Sequence, residues 1–164
     1  MAGDSLRVFV YGTLKRGFGN HRRLCGACHS VSAATLPGQL FDLPYGYPML
    51  VIDESLILAR ATADPTADLE MQRRLAAESP SDIAGSLAAA GASIVSGEIL
   101  CFDDPGPIVP ALDALENFCP GEEGTSLYHR VLVRTCEGCV AWTYIAPQGR
   151  LPEGARGPIA RWPE

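Results

Sequence analysis

The chain has little lysine. Of its 13 basic residues only Lys15 is a lysine, and the other twelve are arginines. Against them stand 19 acidic residues, so the net charge is −6. No basic block forms. An acidic chain without a Lys/Arg track is a poor binder of a phosphate backbone, so nucleic acid is not expected as a partner. The densest basic stretch, from Lys15-Arg16 to Arg22-Arg23, suffices for one anion. Long apolar runs are missing too. None approaches the roughly 18 residues that cross a bilayer. The opening Met-Ala-Gly-Asp-Ser has no signal-peptide shape, and its glycine is at position 3, where myristoylation does not occur. These absences predict no membrane partner and a cytoplasmic location.

Several catalytic motifs are absent as well. Tyr11-Gly12-Thr13-Leu14-Lys15-Arg16-Gly17 lacks both the G-x-G-x-x-G spacing and the Gly-Lys-Ser/Thr ending of a Walker loop. The only histidines are His21, His29 and His129, with no H-E-x-x-H spacing and no evident Ser-His-Asp arrangement.

What is present fits one globular domain over 1–164. The chain is 47% hydrophobic and 20% charged, and 164 residues are enough to bury a core. Its 17 glycines and 13 prolines follow no period. They predict many turns and few long elements. Six cysteines include two C-x-x-C pairs, Cys25/Cys28 and Cys136/Cys139. Four thiolates can hold a structural zinc, and either pair can form a disulfide. The wide separation of the pairs favours reduced, unconnected thiols, and no metal is expected.

Leu6 to Tyr11 predicts a buried first strand ending in a glycine-bounded loop, with a short helix after it capped by Asn20. Val31 to Leu43 is strand-like around a Pro37-Gly38 turn, and Tyr45 to Ile52 passes from a turn into a strand. Residues 54–92 differ in texture and predict a helical insertion of two short helices, the first starting at Asp64-Pro65 and carrying Arg73 and Arg74. Ser93 to Phe102 returns to strand. Pro105-Gly106-Pro107 predicts a turn, and Val109 to Phe118 a helix. Tyr128 to Thr135 and Cys139 to Ala146 predict a hairpin turning at Glu137-Gly138. The tail after Pro147 is rich in Gly and Pro. Together these elements predict an α/β or α+β domain around a curled mixed sheet.

Three features can carry chemistry. The loop after the first strand offers backbone N–H groups at Gly12, Thr13 and Leu14, and such a curl can cradle an anion. Glu116 falls on the border of an apolar helical stripe, where partial desolvation raises a carboxyl pKa, and Asp113 three residues earlier adds to it. Glu98 is the rival carboxylate. Tyr128 and Arg130 share a strand face and can orient a carboxylate, or form a core tyrosine and a structural ion pair.

Val8-Phe9-Val10-Tyr11-Gly12-Thr13-Leu14-Lys15-Arg16-Gly17, then Asn20-His21, resembles the opening of the gamma-glutamylcyclotransferase-like proteins. The likeness is strongest to the branch with gamma-glutamylamine cyclotransferase and its bacterial relatives. It continues in order through Gly38-Gln39-Leu40-Phe41, Tyr47-Pro48, Gly97-Glu98-Ile99, Leu112-Asp113-Ala114-Leu115-Glu116 and Tyr128-His129-Arg130. The resemblance implies an α+β fold with a small mixed β-barrel, packed helices and a cavity at one end. It implies that Tyr11, Gly12, Thr13 and Leu14 receive a glutamyl α-carboxylate, that Glu116 is the catalytic base and that Tyr128 lines the cavity. The implied reaction converts a γ-glutamyl amide or amine to 5-oxoproline and a free amine, with no metal or cofactor. The oxyanion donor would be a backbone N–H or Tyr128. The 54–92 insertion and the C-x-x-C pairs depart from the family pattern, and the insertion is expected either to build a lid or one wall of the acceptor pocket, and so to control which amine is released, or to be a helical ornament away from the site. The alternative is a non-catalytic or differently specific small-molecule-binding protein that uses the same cavity.

Overall fold

The computed structural model describes residues 5–78 and 82–164. Strand β1, Leu6–Val10, is the hub. Successive side chains on a strand point to opposite faces. Here Val8 and Val10 enter one apolar cluster while Phe9 enters the other. A strand apolar on both faces must lie inside a sheet. Accordingly β1 has neighbours on both edges. It pairs antiparallel with the strand Ile94–Phe102 and parallel with the strand Val140–Ile145, Val8 standing opposite Trp142.

In chain order the elements are β1, α1 (Gly19–Leu24), β2 (Ser30–Pro37), β3 (Gln39–Asp42), β4 (Pro48–Val51), β5 (Ala59–Arg60), α2 (Pro65–Ala77) and α3 (Ile83–Ala89). Then follow β6 (Ile94–Phe102), α4 (Pro105–Leu115), β7 (His129–Arg134), β8 (Val140–Ile145) and β9 (Arg156–Ile159). The fold is α+β. Six strands form one mixed sheet in the order β2-β6-β1-β8-β7-β5, and β4-β3-β9 form a second. Main-chain bonds stitch the two together: Ala146 N–H donates to Leu50 O at 2.8 Å, and Ser96 N–H to Ala160 O at 2.9 Å. Leu40 and Leu50 of the small sheet share a buried cluster with Phe9, Ile99 and Val131. On the other face Leu69 of α2 and Ile108 and Leu112 of α4 join Val8, Leu100 and Trp142.

Several boundaries differ from expectation for local physical reasons. Pro105-Gly106-Pro107 is the first turn of α4, not a separate turn. Asp104 caps it by accepting the Gly106 N–H at 2.9 Å, and proline fits a first turn whose N–H groups have no helical partner. The same helix stops at Leu115 rather than Phe118. Asn117 takes the left-handed conformation (φ 49°), Phe118 N–H reaches back to Asp113 O and Asn117 N–H to Ala114 O, which is a Schellman stop. Phe18, not Asn20, precedes α1, and it provides no side-chain cap. The Gly/Pro-rich tail supplies β9. The expected second helix of the 54–92 segment is α3, although Ser81, its expected start, lies outside the described residues.

The 54–92 segment is not purely helical, and it is tied into the core. It contributes β5, the edge strand beside β7. From α2 it sends Asp68 and Gln72 into the interior, both fully buried. Gln72 binds the main chain of β1's approach, accepting from Arg7 N–H and donating to Ser5 O. Asp68 Oδ2 accepts from Arg130 Nη1 at 2.9 Å, and Asp113 takes Arg130 Nε and Nη2 at 2.8 and 3.1 Å. Burying such charges costs several kcal/mol per ion unless every group is paired, so this triad fixes position more than it adds stability.

Candidate active site

The first wall of the cavity grows from the end of β1. Tyr11-Gly12-Thr13-Leu14 curls into a turn that Lys15 N–H closes on Gly12 O at 3.1 Å. Glycine is required here by packing. A Cβ on Gly12 would lie 2.8 Å from both Cγ and Cδ of Pro48. Among the described residues, the N–H groups of Gly12, Thr13 and Leu14 have no protein acceptor. The curl is braced from behind. Asn20 Nδ2 donates to Thr13 Oγ1 at 2.9 Å, and His21 Nδ1 donates to Leu14 O at 2.9 Å. Glu98 Oε1 accepts from Arg16 N–H at 2.7 Å, so the rival carboxylate is spent on this loop. Lys15 Nζ donates to Trp162 O, and Trp162 Nε1 donates to Asp42 Oδ1 at 2.9 Å, which ties the loop to the tail and the small sheet.

The second wall is the end of α4. Its Schellman stop leaves Glu116 at the C-cap, with its side chain on the cavity. Glu116 makes no side-chain hydrogen bond among the described residues. Burial, followed by the nearby Asp113 charge, pushes its carboxyl up to about 7. Asp113 is spent elsewhere: it also accepts from Tyr144 Oη at 2.6 Å besides its bonds to Arg130.

Aromatic residues close the rest. Tyr11 Oη donates to Tyr144 O at 2.6 Å, and Tyr128 Oη donates to Pro48 O at 2.7 Å. The cavity measures about 190 Å³. All six residues singled out from the sequence (Tyr11, Gly12, Thr13, Leu14, Glu116 and Tyr128) line it.

The structure bears on three of the expectations. In this structure the one Tyr128 proton goes to Pro48 O and not into the cavity. Of the two readings of Arg130, the structural ion pair holds: it is the buried centre of the triad with Asp68 and Asp113. Among the described residues, none of 54–92 lines the cavity, so no wall of it comes from this segment. A wider groove of about 760 Å³ adjoins it instead, shares Asn117 and Leu127 with it, and is walled by Phe118, Ser126, Arg150 and Leu151. Sequence reasoning missed Tyr47 and Asn117 as lining residues. The Tyr47-Pro48 pair was visible in the resemblance, and a lone Asn after a helical Glu is a helix-stop signal.

The cysteine pairs sit apart. Cys25 is buried in one core cluster with Cys28 against it, while Cys139 packs against the other. Among the described residues no three His, Cys, Asp or Glu side chains are grouped as metal ligands. No helix among them is long and apolar enough to cross a membrane.

Residues 8–61 match the family model described as gamma-glutamyl cyclotransferase, AIG2-like. That stretch holds the last three residues of β1, the Gly12 loop and Tyr47-Pro48, and ends before Glu116 and Tyr128. No curated protein matches the chain by sequence. An uncharacterized protein of Pyrococcus horikoshii has the same fold, with TM-score 0.51 and 21% identity over 94% of this chain and 86% of that one. An allophanate hydrolase of Kluyveromyces lactis carrying S177A contains it too, with TM-score 0.52 and 13% identity over 93% of this chain and 19% of the larger enzyme. An AIG2-like protein of Mus musculus aligns with TM-score 0.47 and 20% identity over 91% of this chain and 81% of that one. The first two likenesses establish a shared fold, and the family match points to cyclotransferase activity in general terms.

Proposed function

We propose that this protein is a cyclotransferase that closes the glutamyl half of a γ-glutamyl amide or amine into 5-oxoproline and releases the amine. The observation that carries this reading is the opposition, in one small cavity, of Glu116 to a curl of three N–H groups without protein acceptors. The N–H groups of Gly12, Thr13 and Leu14 suit a carboxylate. Held there, a glutamyl group is folded with its α-nitrogen near its own γ-carbonyl, which is a proximity effect. Glu116, with its carboxyl near 7, is poised both to take and to return a proton around neutral pH.

The balance is simple. Two protons leave the α-ammonium as the lactam C–N bond forms, and the departing nitrogen gains two as the γ-amide bond breaks. Glu116 carries them one at a time. Tyr128 and Tyr11, whose own protons are committed, keep lone pairs that can accept from the α-ammonium. The groove beyond Asn117 and Leu127 is where the leaving amine would lie. A screen of γ-glutamyl compounds for released 5-oxoproline tests the reading. Release from at least one class supports it, and release from none across a broad panel contradicts it.

A further inference from the structure

Four tyrosines line the cavity: Tyr11, Tyr47, Tyr128 and Tyr144. A phenol has one proton to donate. Tyr11 spends its proton on Tyr144 O, Tyr128 on Pro48 O and Tyr144 on Asp113 Oδ1. Among the described residues, only the Tyr47 hydroxyl has no acceptor of these four. Its backbone is fixed. Leu43 N–H donates to Tyr47 O at 3.1 Å across a turn in which Gly46 has φ +89°, and the next residue is Pro48, which packs on Gly12 and whose carbonyl holds Tyr128. The Tyr47 ring also rests against Tyr45, with centroids 5.9 Å apart.

Attack by the α-amine turns the γ-carbonyl oxygen into an oxyanion, which needs a donor. On the cyclotransferase reading above, the loop N–H groups hold the α-carboxylate and Glu116 moves protons. Asn20 spends an amide proton on Thr13. Among the described residues, the side-chain protons on the lining without an acceptor are those of the Tyr47 phenol, the Thr13 hydroxyl, the second Asn20 N–H and the Asn117 amide; Thr13 and Asn20 belong to the carboxylate curl itself, and Asn117 is exposed at the junction with the groove. We propose that Tyr47 donates a hydrogen bond to the γ-carbonyl oxygen as it becomes an oxyanion. No proton is transferred from Tyr47, and when the intermediate collapses the bond relaxes to the product carbonyl. Burial, Tyr45 and the Glu116 charge raise the Tyr47 pKa, so the phenol keeps its proton over the working pH range, as a donor must.

The test compares Tyr47→Phe and Asn117→Ala with the parent on a γ-glutamyl substrate that the parent cyclises. Removing an oxyanion donor costs about 10²–10³ in rate. Tyr47→Phe is expected to lose about 10² in kcat, with KM within about threefold and the acid limb of the pH–rate profile unmoved. Its melting temperature should match the parent's, because no protein bond is broken. A loss confined to KM, a kcat within about threefold, or a larger kcat loss in Asn117→Ala would overturn the assignment while cyclisation by the parent stands. A parent that releases no 5-oxoproline would overturn the underlying function, and this role with it.

Discussion

Asp113 and Glu116 stand one turn apart at the end of α4, yet their surroundings are opposite. The Asp113 carboxylate accepts from Arg130 and from Tyr144, while the Glu116 carboxyl has no hydrogen-bond partner among the described residues and faces the cavity. One carboxyl is locked into the frame and the other is left for chemistry. This difference in environment, and not the residue type, separates a structural acid from a candidate base.

The raised pKa of Glu116 predicts a pH–rate profile. The base must be ionised, so kcat/KM should fall about tenfold per pH unit below roughly 7 and level off above it. Initial rates in buffers of constant ionic strength from pH 5 to 8 test this. Rates flat across this range would mean that the group being titrated keeps an ordinary carboxyl pKa and is not raised by the cavity.

The same shift has a stability consequence of fixed sign. The folded state binds the Glu116 proton more tightly than the unfolded chain, so its contribution is full below about 4.5 and is lost as pH rises to about 7. At about 1.4 kcal/mol per unit, and with the side chain still in partial contact with water, the loss is on the order of 1–2 kcal/mol. Glu116→Gln should therefore be more stable than the parent at pH 8 and equal to it at pH 4. Urea unfolding at the two pH values checks this. A variant less stable at pH 8 would show that the ionised carboxylate is welcome in the cavity.

Gly12 is closed to any side chain by Pro48. Gly12→Ala should separate the loop from β4, lower the affinity for 5-oxoproline by about tenfold or more, and lower the melting temperature by only a few degrees. Calorimetric titration with 5-oxoproline reads the first effect. Unchanged affinity would move the carboxylate cradle away from this loop.

Arg130 is the centre of the buried triad. Arg130→Met leaves Asp68 and Asp113 uncompensated and should cost about 3–5 kcal/mol of stability. Removing 60–90 should be worse, since it takes away Asp68, Gln72 and β5 together. Folded, active protein after that deletion would contradict the integral role of the segment.

Much of the fold follows local signals. The alternation of β1 and the Glu137-Gly138 turn between β7 and β8 are legible because short-range patterning decides them. The site is legible where a motif is contiguous, as in Tyr11 to Leu14, or where a residue sits on a helix border, as with Glu116. Other features depend on partners far away in sequence. Nothing local marks Asp68 and Gln72 of α2 as buried; their partners are Arg130 and the main chain at β1. Proton commitments of the tyrosines are set by carbonyls such as Pro48 O, 80 residues from Tyr128. The placement of 54–92 away from the cavity could not be read locally either, since texture marks a segment but not the face on which it packs.

The most direct test of the central claim is 5-oxoproline release by the parent and by Glu116→Gln on the same γ-glutamyl substrate. A base supplying general catalysis is worth about 10²–10⁴ in rate. The account predicts turnover by the parent and a loss of that size in a variant that still folds and still binds 5-oxoproline. Turnover by Glu116→Gln within threefold of the parent would contradict it.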